Sequence, residues 1–273
     1  MPPAKELQLQ FLDAQDSVII TYSNKKDRKG EPLKESKDFY PDTERKIPGT
    51  APADSGLNRF VWNLEYPAAT EAPGVTWGAS TDGPRVVPGK YNIRLKLGDS
   101  VIMTRPFEIR KDPRLATTDA DFKAQFDLLM KINKKVTETH EAINSLRDIR
   151  TQINGLLGKI TDTTKAKPIK DIAKPITDTL NAVEEELVQT KAKSGQDLLN
   201  FPMKLNNKLA ALTPTVASAD TRPTKQAYQA YDDISGRIDA QLTRMKKALE
   251  QLPALNKAIK EADIPAVKEK EKK

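Results

Sequence analysis

Apolar side chains recur about every 3.5 residues from Phe122 to Ile160, and no other feature constrains the fold of this chain as strongly. The series is Phe122, Phe126, Leu129, Ile132, Val136, His140, Ile143, Leu146, Ile149, Ile153, Leu157 and Ile160. This is the spacing of helices that pack along their whole length. Thr118 and the acidic residues after it predict a helix start, and Gly155 and Gly158 predict where the helix weakens or stops.

Three further helices are predicted after this one. The first has Pro175 as its start or a kink, and Asn200 is predicted to cap the second. Their apolar residues are Ile172, Ile176, Leu180, Val183 and Leu187; Met203, Leu205, Leu209 and Leu212; and Tyr228, Tyr231, Ile234, Ile238, Leu242, Met245, Leu249 and Leu252. Short connections predict an antiparallel long-helix bundle over residues 115–265, followed by a disordered charged tail, 266–273.

Residues 1–114 have a different pattern, in which apolar residues alternate with polar ones between Gly/Pro turns. The alternation predicts strands in LQLQF, SVIITY, GLNRFVWNL, GKYNIRLKL and VIMTRPFEI. Residues 24–56 lack periodicity and are expected to form an exposed irregular excursion. The predicted fold is therefore multi-domain β + α, an Ig-like antiparallel β-sandwich over 1–114 followed by the bundle.

The sequence offers little for catalysis. There is no cysteine and a single histidine, His140, which falls in the apolar seam of its helix. No hydrolase, phosphate-loop, dinucleotide or zinc motif is present, so we expect no catalytic residue, no metal and no cofactor, and this chain is predicted not to be an enzyme. We expect His140 to be satisfied at a helix interface, where leucine would be neutral or stabilising. Glu184, Glu185 and Glu186 are expected on a solvated face.

The charge pattern limits the partners. The net charge is +7, but the lysines alternate with acids and have no interleaved aromatic rings, so a nucleic-acid partner is not expected. No apolar run is long enough for a membrane span, and the first residues do not form a signal peptide.

Two tryptophans and one connector are candidates for binding. Trp62 is expected in the core, whereas Trp77, in a Gly/Pro-rich loop, either stacks on a sugar or partner or covers the open edge of the sandwich. The connector KSGQDLLNFPMKLNNKLAAL, residues 193–212, is too apolar for a flexible linker. We expect Leu199, Phe201 and Leu205 to anchor it to the bundle.

From about residue 5 to 267 the chain resembles the C-terminal region of bacterial sortilin-like proteins. The resemblance rests on GLNRFVWNLEYP, PGVTWG, GPRVVPGKYNIRLKLGDSVIMTRPFEIRKDPR, FDLLMKINKKVTETHEAINSLRDIRTQI, the connector and ASADTRPTKQAYQAYDDISGRIDAQL. Those are exported proteins whose BNR (Asp-box) repeats form β-propellers, often labelled glycosyl hydrolase by similarity. The N-terminal half also resembles the Ig-like domain of the flagellar hook-cap protein.

The resemblance implies a periplasmic or extracellular location when the region is attached to the full-length protein. The propeller repeats are missing from this sequence, so no catalytic residue is carried over. The expected function is a non-catalytic accessory module that positions the propeller or binds another envelope protein. The connector is then a docking motif made of Asn200, Phe201, Pro202, Leu205, Asn206 and Asn207. The alternative is a carbohydrate-binding accessory module that uses Trp77 and Tyr66.

Overall fold

A computed structural model describes residues 5–25, 50–75, 81–160 and 163–262. It contains a four-stranded antiparallel sheet and a set of helices, so the chain is mixed β and α. The described residues divide into two compact units. The first comprises Met1–Ala68, Asp82–Met130 and Ala219–Arg222, and the second comprises Ala69–Thr81, Lys131–Ser218 and Pro223–Lys273.

The sheet lies in the first unit and has the order β2-β1-β3-β4. Its strands are β1 (Leu7–Leu12), β2 (Val18–Ser23), β3 (Gly89–Leu97) and β4 (Ser100–Ile109), which confirms four of the predicted strands. A β-bulge at β2 leaves Ile19 opposite no partner, because Phe11 pairs with Ile20 and Leu12 with Val18. Ile19 is consequently buried and Val18 exposed, the reverse of simple alternation.

Aromatic rings fill the core of the first unit. Trp62 stacks on Phe11 with ring centroids 4.2 Å apart, and Tyr22 and Tyr91 are buried beside them. The burial of Trp62 is confirmed. The strand predicted for GLNRFVWNL is wrong: residues 56–64 form no strand, and Leu64 at the end of the segment has a φ of 64°, which an extended strand does not tolerate.

The predicted excursion 24–56 and the charged tail lie largely or wholly outside the described residues. Ala51 is described and is buried in the aromatic core, and its N–H donates to the Ser23 carbonyl. That residue of the predicted exposed excursion is therefore interior.

The helices are α1 (Asp119–Leu157), α2 (Thr163–Leu187), α3 (Leu205–Ala210), α4 (Leu212–Val216), α5 (Lys225–Leu249) and α6 (Leu252–Glu261). The Thr118 hydroxyl accepts a hydrogen bond from the Asp121 N–H at the start of α1, as the sequence predicts. The helix ends between Gly155 and Gly158. Residues 119–130 of α1 belong to the first unit and 131–157 to the second.

Two helix starts differ from the prediction. α2 begins at Thr163 and continues through both Pro168 and Pro175, so Pro175 is not its start. Asn200 does not cap α3, because it ends a 3-10 helix over Gly195–Leu199 while Lys204 precedes α3. In the second unit α2 packs against α5 and α6, and α3 packs against α5. No helix in the described ranges is long and apolar enough to cross a membrane.

Candidate interaction surface

The connector between α2 and α3 has one solvent-facing stretch and one buried stretch. Leu199 is 90% exposed and Met203 43% exposed, and Pro202 between them is also exposed. Leu205, Asn206, Asn207 and Leu209 are all buried. We call residues 199–203 the connector surface. The predicted anchoring role of Leu205 fits its burial, whereas the anchoring role of Leu199 is wrong because the 3-10 helix directs its side chain to solvent.

Hydrogen bonds hold the connector backbone in place. The Asp197 carboxylate accepts from the N–H groups of Lys193 and Ser194, at 2.7 and 3.0 Å, and the Asp197 carbonyl accepts from Asn200 and Phe201. The two carboxylate bonds, that from Lys193 first, lower the pKa of Asp197. The buried Gln189 donates to the Pro202 carbonyl at 2.9 Å. The exposed apolar side chains are therefore carried on an ordered backbone.

A buried relay of polar groups fixes the start of α3. The Asn207 N–H donates to Asn206 Oδ1 at 2.7 Å, and Asn206 Nδ2 lies 3.4 Å from His140 Nε2. His140 Nδ1 lies 2.6 Å from the Thr70 carbonyl. A carbonyl only accepts, so Nδ1 carries the imidazole proton and Nε2 accepts from Asn206. His140 is thus satisfied in a packed interior, as the sequence predicts.

Of the two predicted bridging asparagines, only Asn206 bridges through its side chain. The side-chain amide of Asn207 is buried but has no hydrogen-bond partner among the described residues. Phe201 is half-buried, and Asn200 and Pro202 are exposed. The docking motif is therefore divided, with its first half accessible to a partner and its second half committed to the interior.

A polar stripe on α1 holds residues 70–73 of the same unit. Thr137 accepts from the Thr70 N–H, His140 donates to the Thr70 carbonyl, Asn144 donates to the Glu71 carbonyl and Arg147 donates to the Pro73 carbonyl. Thr137, His140, Asn144 and Arg147 are spaced three or four residues apart, which places them on one helix face. This stripe is not among the predicted site residues, although the three- and four-residue spacing of its members is the signal that identifies it.

The prediction that Glu184 lies on a solvated face is wrong. The sequence predicts a solvated face, yet Glu184 is 4% exposed and receives Arg147 Nε on one oxygen and Arg150 on the other, each at 2.5 Å. Glu185 and Glu186 are exposed, as expected. An open cleft of about 350 Å³ lies beside the two arginines. Because both carboxylate oxygens already accept arginine hydrogen bonds, Glu184 serves as an ion-pair partner.

Of the two predicted stacking rings, the structure describes that of Tyr66. Trp77 lies outside the described residues. Tyr66 is half-buried in the first unit, where its ring packs on Phe126 with centroids 5.0 Å apart. Burial raises the pKa of Tyr66, with a smaller contribution from Asp13. The backbone of Gly83 packs closely on that of Tyr66, since a Cβ at residue 83 would lie 1.8 Å from the Tyr66 carbonyl oxygen.

Among the described residues no group of three or more histidine, aspartate or glutamate side chains is placed to hold a metal ion. No protein family model, no curated protein and no solved structure matches the chain.

Proposed function

We propose that the chain is a non-catalytic interaction module that binds a partner protein through its connector surface. The observation that carries this proposal is the exposure of Leu199 and Met203 on a backbone held by Asp197 and Gln189. Isolated exposed apolar residues are common, but here Pro202 joins them in one ordered stretch. An ordered apolar stretch favours binding because little conformational entropy is lost when a partner covers it.

The charges around the connector surface favour an acidic partner. Residues 191–208 contain four lysines and a single acid, Asp197, whose carboxylate already binds backbone N–H groups. Lys191, Lys193 and Lys208 are exposed, and no described carboxylate forms an ion pair with them. Opposite charges around an apolar contact steer association and select the partner. The partner surface is therefore proposed to be apolar at its centre and acidic at its rim.

The resemblance to sortilin-like proteins supplies a specific candidate partner. On that basis we propose that the chain is the C-terminal part of such a protein, located in the periplasm or outside the cell, and that the connector surface docks on its β-propeller or on another envelope protein. The finer architecture is proposed on the same basis and on the apolar periodicity, as an Ig-like sandwich followed by an antiparallel long-helix bundle.

The alternative function, binding carbohydrate through Trp77 and Tyr66, has less support. A sugar-stacking ring needs an open face, and the Tyr66 ring packs on Phe126. No described contact favours this alternative over the connector surface.

The experiment that tests the proposal is calorimetric titration of the full chain with a recombinant β-propeller from a sortilin-like protein. We expect Leu199→Ser to weaken binding at least about tenfold, as loss of a central apolar contact does. Leu57→Ser is the matched control, since Leu57 is also fully exposed but lies in the first unit. Equal affinity for wild type and Leu199→Ser would contradict the proposal. Binding of soluble polysaccharides in place of the propeller would favour the alternative.

A further inference from the structure

The outer edge of β4 carries apolar side chains and pairs with no other strand in the part of the chain that the structure describes. β4 is the last strand in the order β2-β1-β3-β4, so among the described strands only β3 pairs with it. Val101, Ile102 and Met103 are 55%, 58% and 42% exposed. An edge strand of this kind presents unpaired backbone N–H and C=O groups beside apolar side chains, which is a template for pairing with another strand.

Opposite charges flank this apolar triplet. Asp99 precedes it in the turn after β3, and Arg105 follows it within β4. Both side chains are exposed, and neither forms an ion pair with a described residue. Pro106 comes next and has no N–H to donate, so a pairing strand on this edge is expected to end before it.

We propose that β4 pairs antiparallel with β4 of a second copy of the chain, centred on Ile102. In this register Val101 lies opposite Met103, Ser100 opposite Thr104 and Asp99 opposite Arg105, each contact occurring twice about the two-fold axis. The edge is therefore complementary to itself, as a two-fold interface requires. The apolar triplets cover one another, and each Arg105 gains a carboxylate.

Other registers of the same edge lose this match. Moving the centre to Thr104 places Val101, Ile102 and Met103 opposite Phe107, Pro106 and Arg105, which brings the proline into the pairing and no longer sets Asp99 opposite Arg105. Ile102 is also the extra residue of a β-bulge, since Leu95 pairs with Met103 and Lys96 with Val101. The bulge increases the local twist at the centre of the pairing, and Pro106 ends the pairing, which confines it to the short stretch 99–105. An interface of this size is small, so the dimer is weak and concentration-dependent.

Sedimentation velocity of the full chain tests the proposal. At chain concentrations up to about 200 μM, where small interfaces associate, we expect the mass to rise from 30.4 kDa towards twice that value. Ile102→Lys is expected to keep the chain monomeric throughout. Asp99→Lys and Arg105→Glu each place like charges opposite one another and are expected to weaken association at least about tenfold.

The double variant Asp99→Lys/Arg105→Glu restores opposite charges in the same register. We expect it to recover association to within about threefold of wild type, with far-UV circular dichroism unchanged in all variants. Leu57→Lys is the matched control for adding charge at an exposed apolar site, and it is expected to associate as wild type does. A wild-type chain that stays monomeric overturns the proposal. Association that persists in both single charge variants would also overturn the proposal. Failure of the double variant to recover association would overturn it as well.

Discussion

His140 Nε2 lies 3.4 Å from Asn206 Nδ2, and this contact joins α1 to the start of α3 inside the second unit. The imidazole accepts there and donates through Nδ1 to Thr70, so only its neutral form matches both partners. Protonation would put a second N–H against the Asn206 amide. The one histidine of the chain is therefore both a packing residue and an acid-sensitive link.

This link predicts a pH dependence of stability. Burial is the main cause that lowers the pKa of His140 from its usual 6.5. The hydrogen bond to the Thr70 carbonyl and the charge of Glu71 raise this pKa, and Arg147 lowers it by a smaller amount. The unfolded chain therefore takes up the proton at higher pH than the folded chain. The stabilisation is complete above pH 6.5 and is lost as the pH falls through the lowered pKa, by at most about 1.4 kcal/mol per pH unit.

His140→Leu provides the measurement. Urea unfolding at pH 7.5 and 5.5 is expected to show a smaller loss of stability in the variant than in wild type. At pH 7.5 the variant is expected to be less stable by about 1–3 kcal/mol, because the Thr70 carbonyl and Asn206 amide lose their partner. The geometry thus reverses the neutral or stabilising effect predicted from the seam position alone. A parallel pH dependence in both proteins would contradict the role of His140.

Asn206 and Asn207 are neighbours that are both buried, yet we expect them to contribute differently to stability. Asn206→Leu removes the amide that connects Asn207 N–H to His140, and we expect a loss of about 1–3 kcal/mol. Asn207→Leu removes a buried amide that has no described partner, so we expect no loss or a small gain. Denaturant midpoints of the two variants measure the difference. A larger loss for Asn207→Leu than for Asn206→Leu would show that the relay is wrongly assigned.

The connector surface and the buried residues that follow it should differ in their contributions to stability. Leu205 is 3% exposed, and Leu205→Ala is expected to cost about 2–5 kcal/mol. Leu199→Ala is expected to change stability by less than about 0.5 kcal/mol, because the side chain is already in water. Phe201→Ala should lie between them, since the ring is half-buried. Thermal melts check the order, and a large loss in Leu199→Ala would mean that the side chain packs in the interior.

Glu184 and Glu185 offer a matched test of the ion-pair network. Glu184→Gln removes the charge that two arginines share, and we expect a loss of about 1–3 kcal/mol after allowing for the partial exposure of the arginines. Glu185→Gln changes an exposed neighbour and is expected to have an effect within about 0.5 kcal/mol. Urea unfolding at neutral pH measures both. Equal effects would refute a special role for Glu184.

The raised pKa of Tyr91 predicts that stability also depends on pH in the alkaline range. Burial, with smaller contributions from Tyr66 and Asp13, raises the pKa of Tyr91 to about 12, and its hydroxyl donates to the Val87 carbonyl at 2.6 Å. The unfolded chain loses this proton near pH 10, so stability falls as the pH rises from about 10 to 12. Tyr91→Phe is expected to be about 1 kcal/mol less stable at pH 8 and to lose less over that range. A steeper loss in the variant would contradict the assignment.

The sequence alone determined the features that depend on periodicity. The seam from Phe122 to Leu157 specified α1 because residues three and four apart share a helix face, and the alternation in LQLQF, SVIITY, GKYNIRLKL and VIMTRPFEI specified four strands. The same patterns also indicated that His140 and Trp62 are interior, although the segment GLNRFVWNL forms no strand. These are properties of neighbouring residues, and neighbouring residues are what a single sequence displays.

Only the tertiary structure decided which polar groups are buried and which groups they bind. The burial of Glu184 depends on Arg147 and Arg150, which lie more than thirty residues away, and the positive φ of Leu64 removed a strand that alternation alone predicts. The connector divides into an exposed Leu199 and a buried Leu205 because a 3-10 helix and Gln189 set its path. Such outcomes depend on the desolvation of charges and on backbone hydrogen bonds between distant segments, whose free energy is set by spatial neighbours rather than by the order of residues along the chain.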